Sequence, residues 1–177
     1  MTSPATGGEQ MTGLPSTLDA DLMKQVNRRF VTGVTVVTVL DGDTPKGLAV
    51  NAFASISLEP PTVMVCVQHT SSTHESLFRA DHLAINLLSV DQLDVVKRFA
   101  TKSADKFSGV DWHPAPHGSP FLDRSSAQME VQIRERLQAS THTVFICRVV
   151  DAAVTDHHPM VYSAGGFYDS SALTPLG

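Results

Sequence analysis

The sequence feature that most limits the possible folds is a series of short, β-branched runs between residues 34 and 67. Val34–Leu40 consists of valine, threonine and leucine, and Asp41–Pro45 supplies residues typical of a tight turn. Gly47–Pro61 then joins a strand-like run to a polar turn, and the apolar run Thr62–Val67 follows. This order predicts a β-hairpin followed by a third strand.

Similar runs recur in the rest of the chain. Further strands are predicted at His82–Leu88, Ala127–Gln138, Thr143–Val154 and near Met160–Tyr162. Six or seven strands with turns at short spacing predict a mainly β fold, a closed or nearly closed antiparallel barrel with a few peripheral helices.

Three helices are predicted beside the strands. The first runs from Ser16 to about Thr32, where apolar residues recur every fourth position. The second is short and ends at Arg79, with Ser72 and Glu75 spaced as in a capping box. The third covers Asp91–Ala100.

A segment rich in Gly, Pro, Ser and His follows the third helix, at residues 101–124. It contains too many backbone breakers for regular structure, so it is predicted to be a long surface loop. Loops of this length are often functional, which makes the segment a candidate lid or partner surface.

Composition excludes several classes of protein. A chain of 177 residues with 42% hydrophobic content predicts one domain at residues 16–170, between disordered tails at residues 1–15 and 171–177. The net charge of -5 argues against a nucleic-acid partner. The chain shows neither a secretion signal nor a membrane-spanning apolar run, so a cytoplasmic, soluble protein is expected.

The cysteines and histidines do not form a metal-binding pattern. Cys66 and Cys147 lie in separate apolar runs, where thiols usually behave as small buried hydrophobes rather than as a disulfide. The eight histidines lack the spacing of a helical metal site, and prolines separate His113 from His117. No metal is therefore expected.

Two polar segments are candidates for ligand binding, and each also has a purely structural explanation. In Asn51–Ser55, small residues would let backbone N–H groups approach a flat ligand. The structural alternative is that Phe53 packs in the core while Asn51 and Ser55 end a strand by bonding to nearby backbone. The hydroxyl residues of Thr70–Thr73 would hold a phosphate at the start of a helix, or merely cap that helix.

Three further candidates lie later in the chain. His142 falls where two strands should meet, and a histidine side chain is suited to proton transfer. Lys106-Phe107 could place an ammonium near a phosphate and a ring near a base, although solvated lysines are more usual. Gly165-Gly166 either allows a ligand to approach the backbone or forms a turn.

The order of six segments carries a family resemblance. These segments are Arg29–Thr38, Val50–Pro61, Ser71-Ser-Thr73, Asp105-Lys-Phe-Ser-Gly109, His142-Thr143 and Val161-Tyr-x-x-Gly-Gly-Phe167. Together they resemble the short-chain flavin reductases, the small components of two-component flavin-dependent monooxygenases. The match runs from about Asp21 to Tyr168 and is far more specific than any single segment.

The resemblance implies a fold and a reaction. It implies a Greek-key split β-barrel, usually a homodimer with flavin near the subunit interface. Such a protein would use NADH or NADPH to reduce FAD or FMN and would supply the reduced flavin to a separate monooxygenase. The choices between FAD and FMN, between the two nicotinamides, and between bound and diffusing flavin stay open.

The resemblance also implies site residues. His142 would be catalytic and, with Tyr162, Gly165, Gly166 and Phe167, would face the nicotinamide. The residues that would hold the flavin are Val50, Asn51, Ala52, Phe53, Ser55, Cys66, Val67, Gln68, Ser71, Ser72, Thr73, Phe99, Lys106 and Phe107.

Two departures and three alternatives accompany this interpretation. Ala164 stands where family members commonly carry arginine or another larger polar residue, and Ala52 stands where serine is frequent. These departures bear on the coenzyme preference and on the affinity for flavin.

The alternatives are a flavin-binding electron carrier or storage protein, an oxidase resembling the pyridoxamine-phosphate oxidases, and a structural interaction domain. The Asp105-Lys-Phe and Gly-Gly-Phe elements favour the reductase over the oxidase.

Overall fold

Short antiparallel strands make up most of the computed structural model, which describes residues 19–103 and 105–176. The strands are β1 (Thr32–Gly33), β2 (Thr35–Asp41), β3 (Thr44–Val50), β4 (Phe53–Leu58), β5 (Pro61–Gln68), β6 (His82–Leu87), β7 (Trp112–Pro114), β8 (Pro120–Leu122), β9 (Ala127–Ala139), β10 (His142–Val154), β11 (Met160–Ser163) and β12 (Gly166–Asp169). The helices are α1 (Ala20–Arg28), α2 (His74–Arg79) and α3 (Leu93–Phe99), with 3₁₀ turns at Val90–Gln92 and Ser170–Ala172. The mainly β prediction is confirmed.

Seven strands form one curled antiparallel sheet in the order β3-β2-β6-β9-β10-β5-β4. Val50 on the edge strand β3 and Val65 on β5, next to the other edge, belong to the same buried cluster. The sheet must therefore close on itself around that cluster. Among the described residues no ladder joins the edge strands β3 and β4, so the barrel is split there.

Alternation along β5 and β10 separates the inside of the barrel from its outside. Val63, Val65 and Val67 are buried in the core, whereas Cys66 between them is only half-buried. On β10, Phe145 lies in the same core. The outer face of these two strands is therefore available for a ligand.

The first hairpin forms as predicted, but α1 is shorter than expected. Asp19 caps the helix by accepting a hydrogen bond from Asp21 N at 3.1 Å, and Ser16 lies outside the described residues. The helix ends at Arg28 rather than near Thr32, because residues 32 and 33 form β1, which pairs with β11.

The predicted capping box at the start of α2 is wrong. Thr73 precedes the helix and makes no side-chain cap. Glu75 instead lies 2.9 Å from the Arg79 guanidinium, one turn later. Ser71 Oγ accepts from Thr73 N at 3.3 Å, so a local turn replaces the expected bond from Ser72.

The prediction of a long irregular loop after α3 is also wrong. β7 and β8 pair within this segment, and Phe121 and Leu122 are buried. Asn86 Oδ1 accepts from Leu122 N at 2.8 Å, and the Thr38 hydroxyl donates to Pro120 O at 2.6 Å. These bonds fasten the segment to the barrel, so it is a packed cover rather than a free lid.

The other strand predictions are confirmed to within a residue or two, while β4 and β12 were missed. Residues 1–15 of the predicted tail lie outside the described residues, as does Gly177. Across the described chain, none of the helices has the length and apolar character needed to cross a membrane.

Candidate functional site

A cleft of about 680 Å³, called the main cleft, lies beside the end of β3, β5 and the loop before α2. It brings together many of the predicted site residues. These are Val50, Asn51, Ala52, Cys66, Val67, Gln68, Ser71, Ser72, Phe99, Lys106 and His142. The cleft is also lined by Thr70, from the candidate phosphate segment, and by residues that the sequence did not indicate, namely Leu48, Ala49, Ala100, Thr101 and Lys102.

The turn after β3 forms one wall of the main cleft. Phe53 N donates to Asn51 O at 2.9 Å, and Cys66 N donates to Ala52 O at 3.0 Å. The first bond closes a local turn and the second joins Ala52 to β5, although Asn51 and Ala52 are both exposed. This wall is therefore joined to β5, has small side chains and is open to a ligand.

Lys106 supplies a buried positive charge at the edge of the main cleft. The residue is only 7% exposed. Its ammonium donates to Gly47 O at 3.1 Å and to Phe99 O at 3.2 Å. Burial lowers the pKa of Lys106 from its usual range. Because no salt bridge is formed by Lys106 among the described residues, this group is suited to bind an anion.

The loop before α2 places hydroxyl groups in the main cleft. Ser71 and Ser72 line it, and His69 N donates to Thr141 O at 3.0 Å, which ties the loop to the start of β10. Thr73 is different because its buried hydroxyl donates to Gly47 O at 3.1 Å and it does not line the main cleft.

His142 begins β10 and lies across the ladder from Gln68. It is half-buried and lines the main cleft. The Thr141 hydroxyl lies 2.9 Å from His142 Nδ1, and no other side-chain hydrogen bond engages the ring among the described residues. His142 can therefore present its second ring nitrogen to a ligand.

A second cleft of about 740 Å³ adjoins the main cleft, because Asn51 and Ala52 line both. Tyr162 lies in this second cleft rather than in the main one. Its other lining residues are Lys24, Val26, Asn27, Arg28, Phe30 and Thr32. The polar residues of α1 were not predicted as site residues, although their spacing of three and four positions is that of one helix face.

The remaining predicted site residues lie outside both clefts. Phe53 packs against the core from β4, and Ser55 is exposed on the same strand. Gly165 has φ 91° in the turn between β11 and β12. Gly166 and Phe167 follow on β12. Thr73 and Phe107 line a smaller cavity of about 240 Å³ next to the main cleft.

The two thiols occupy different environments. Cys147 is fully buried in the core, and burial raises its pKa to about 12. Cys66 is half-buried in the main cleft, and burial also raises its pKa. Both are free thiols.

A family model described as a flavin reductase like domain matches residues 27–171 of this chain. The chain belongs to this family. The resemblance found in the sequence is therefore confirmed, and the main cleft lies within the part of the chain that matches.

Other flavin reductase-like proteins align along most of their length. The reductase component of a 4-nitrophenol 4-monooxygenase/4-nitrocatechol 2-monooxygenase from Rhodococcus opacus is 35% identical over 150 residues, covering 85% of this chain and 80% of that protein. The FMN reductase (NADH) SmoA from Agrobacterium fabrum is 38% identical over 138 residues, covering 78% of this chain and 79% of that protein.

A solved flavin reductase structure has the same fold. The NADH:FAD oxidoreductase SgcE6 from Streptomyces globisporus, in complex with NAD and FAD fragments, superimposes with a TM-score of 0.82 at 32% identity. The superposition covers 90% of this chain and 95% of that chain.

Proposed function

We propose that this protein uses NADH or NADPH to reduce FAD or FMN and supplies the reduced flavin to a separate monooxygenase. The observation that carries this proposal is the main cleft, where small residues, hydroxyl groups, a histidine and a buried ammonium converge. Membership of the flavin reductase-like family supports it.

The residues of the main cleft fit a flavin. The wall formed by Asn51, Ala52 and Cys66 is suited to a flat ring with polar edges, because backbone groups and small side chains allow close approach. Ser71 and Lys106 provide a hydroxyl and a positive charge for the phosphate. When bound, the flavin supplies the hydride-accepting chemistry.

The protein's own contribution is positional and electrostatic. The Asn51-Ala52 turn and Gln68 would orient the ring, and the Lys106 ammonium would neutralise the phosphate charge. His142 would orient the nicotinamide or hold a proton at its free ring nitrogen. These groups are held by β3, β5 and β10, so they need little rearrangement to act.

The nicotinamide dinucleotide would approach from the second cleft. This cleft meets the main cleft at Asn51 and Ala52, and Tyr162 offers a ring in it. Arg28 on α1 gives its rim a positive charge that suits the donor's phosphates, whereas Lys24 Nζ lies 2.9 Å from Asp21 Oδ1 and is already paired.

We also propose a homodimer. Among the described residues, no side chain of α1 is buried, and Val26 on this helix and Phe30 just after it are 54% and 73% exposed. A second copy that packs on these side chains would remove apolar surface from water and would border the second cleft, which Val26 and Phe30 also line. Sedimentation equilibrium should then give twice the chain mass, and a monomer mass at micromolar concentration would contradict the proposal.

One assay tests the reaction directly. The purified protein is mixed with FAD or FMN and with each nicotinamide in turn, while nicotinamide absorbance is followed. Consumption of the reduced nicotinamide that depends on added flavin supports the proposal. Tight flavin binding without turnover would indicate a carrier, and oxygen uptake without nicotinamide would indicate an oxidase.

His142→Ala tests the assigned role of the histidine. We expect NAD(P)H-driven reduction to fall on the order of 100-fold, while flavin binding changes much less, because the ring acts on the donor or a proton. His157→Ala is a matched control, since His157 lines neither cleft. If the flavin affinity of His142→Ala fell by a larger factor than its rate of NAD(P)H-driven reduction, this role would be excluded.

A further inference from the structure

The small cavity beside the main cleft, called the side pocket, has a volume of about 240 Å³. It is lined by Thr44, Pro45, Lys46, Gly47, Ser72, Thr73, Ser103, Lys106 and Phe107. Ser72 and Lys106 line both the side pocket and the main cleft. A ligand that fills the main cleft can therefore extend past these two residues into the side pocket.

The junction between the two cavities carries the positive charge. Lys106 is buried, and its ammonium has only two neutral carbonyl partners, Gly47 O and Phe99 O, among the described hydrogen bonds. An ammonium can donate three hydrogen bonds, so one N–H remains for a ligand. The Ser72 hydroxyl lies at the same junction. Together they suit a phosphate or pyrophosphate rather than a neutral group.

The second lysine of the side pocket has a different role. Lys46 Nζ lies 2.6 Å from Asp41 Oδ2 and donates to Ser76 Oγ at 3.1 Å. Its charge is therefore already paired with a carboxylate. This leaves Lys106, at the junction, as the cation better placed to attract an anion.

The wall of the side pocket includes a fixed aromatic ring. Phe107 is half-buried and packs edge-on against Phe99, with ring centroids 5.1 Å apart, and against Trp112 at 6.0 Å. These contacts hold the ring in one orientation. An aromatic side chain in a pocket next to a phosphate site is suited to contact a nucleobase.

We propose that the side pocket binds the adenylate half of FAD, with the pyrophosphate at the Ser72–Lys106 junction, so that the protein binds FAD more tightly than FMN. This proposal rests on flavin binding in the main cleft. FMN ends at a single phosphate and would reach only the junction, whereas FAD continues into the side pocket. Relatives are named for either flavin, so the preference depends on the residues of each chain.

The test compares dissociation constants of FAD and FMN, measured by fluorescence titration without nicotinamide. The wild type should bind FAD about tenfold more tightly than FMN, as expected from one or two added charge-assisted contacts. Ser103→Trp would fill the side pocket from an exposed position. It should weaken FAD binding by about tenfold and leave FMN binding within about twofold.

Ser171→Trp is the matched control, because Ser171 is exposed and lines neither cavity. It should change neither constant. A second measurement needs no variant: adenosine, which has no phosphate to occupy the junction, should compete with FAD for the wild-type protein but should leave FMN binding unchanged. This competition keeps the proposal testable even if Ser103→Trp does not fold.

Several results would overturn the proposal. They are equal wild-type affinities for the two flavins, equal loss of affinity for both flavins in Ser103→Trp, and adenosine that does not compete with FAD. A variant that raises the KM for NADH with unchanged FAD binding would assign the pocket to the donor and would also overturn it. Failure to bind either flavin would instead refute the proposed function itself.

Discussion

Replacing Gly47 with alanine is expected to destabilise the barrel and the main cleft together. An added Cβ would lie 2.7 Å from Phe99 Cε1, 3.0 Å from Thr38 Cγ2 and 3.0 Å from Val37 O. Carbon atoms normally pack at about 3.5–4.0 Å. Val37 O is backbone and the Thr38 hydroxyl is bonded to Pro120 O, so Phe99 must move.

The movement of Phe99 sets the size of the effect. Phe99 is 1% exposed and packs edge-on against Phe107, so its displacement disturbs a buried cluster. Overpacking of this kind costs about 1–3 kcal/mol, and the reduced entropy of the unfolded chain offsets about 0.4–1 kcal/mol of that. A net loss of about 1–2 kcal/mol should lower the Tm by roughly 2–8 °C.

Flavin binding should fall as well. Phe99 lines the main cleft, and Gly47 O accepts hydrogen bonds from both Lys106 and Thr73. A shift of this strand therefore displaces the buried ammonium. We expect the flavin dissociation constant to rise by about tenfold, equivalent to the loss of one ordinary hydrogen bond.

Thermal unfolding and flavin titration measure the two effects, with Gly33→Ala as the matched control. A Cβ at Gly33 would meet no atom within 4 Å. Neither glycine has a left-handed backbone, so the two variants differ mainly in steric contact. If Gly47→Ala matched Gly33→Ala in both Tm and flavin affinity, the close packing argued from Phe99 would be refuted.

Two further predictions concern buried titratable groups. Burial raises the pKa of Glu130, but hydrogen bonds from His117 and Ser119 outweigh it and hold the pKa below its usual value of 4.5. A lowered native pKa stabilises the fold above the unfolded-state pKa, and this contribution is lost as pH falls through the native value. In urea at pH 7, the free energy of unfolding of Glu130→Gln should therefore be about 1–3 kcal/mol lower than that of the wild type. This difference should shrink below pH 4.5, and a difference that stays constant down to pH 3 would contradict the prediction. A thiol reagent at pH 8 should modify Cys66 faster than the fully buried Cys147, and bound flavin should slow the reaction at Cys66. Equal rates at the two thiols, or a rate at Cys66 that flavin does not change, would contradict the placement of Cys66 in the main cleft.

Prediction from sequence succeeded where neighbouring residues determine the structure. The alternating valines of Thr62–Val67 and the turn residues of Asp41–Pro45 correctly predicted strands and a hairpin, because strand periodicity and turn chemistry are local. The same local patterns failed for the capping box at Ser72, since Glu75 has an alternative partner one turn later in Arg79.

The candidate site was predicted in part. Segments that share the family pattern, such as Asn51-Ala52 and Ser71-Ser72, do line the main cleft. Tyr162 lies instead in the second cleft. The polar face of α1 was missed because the spacing of Lys24, Asn27 and Arg28 marks one helix face but does not show which cleft that face borders.

The amino-acid sequence by itself determined most strands of the barrel, its first hairpin turn, the family and most of the residues around the main cleft. Only the tertiary structure decided that Lys106 is buried against Gly47 O, 59 positions away, and that the Thr73 hydroxyl bonds to the same carbonyl rather than to a ligand. It also decided that the Gly- and Pro-rich segment is fastened by Asn86, 36 positions from Leu122. These outcomes depend on hydrogen bonds between groups that are distant in the chain, and such bonds form only once the barrel has brought their strands together.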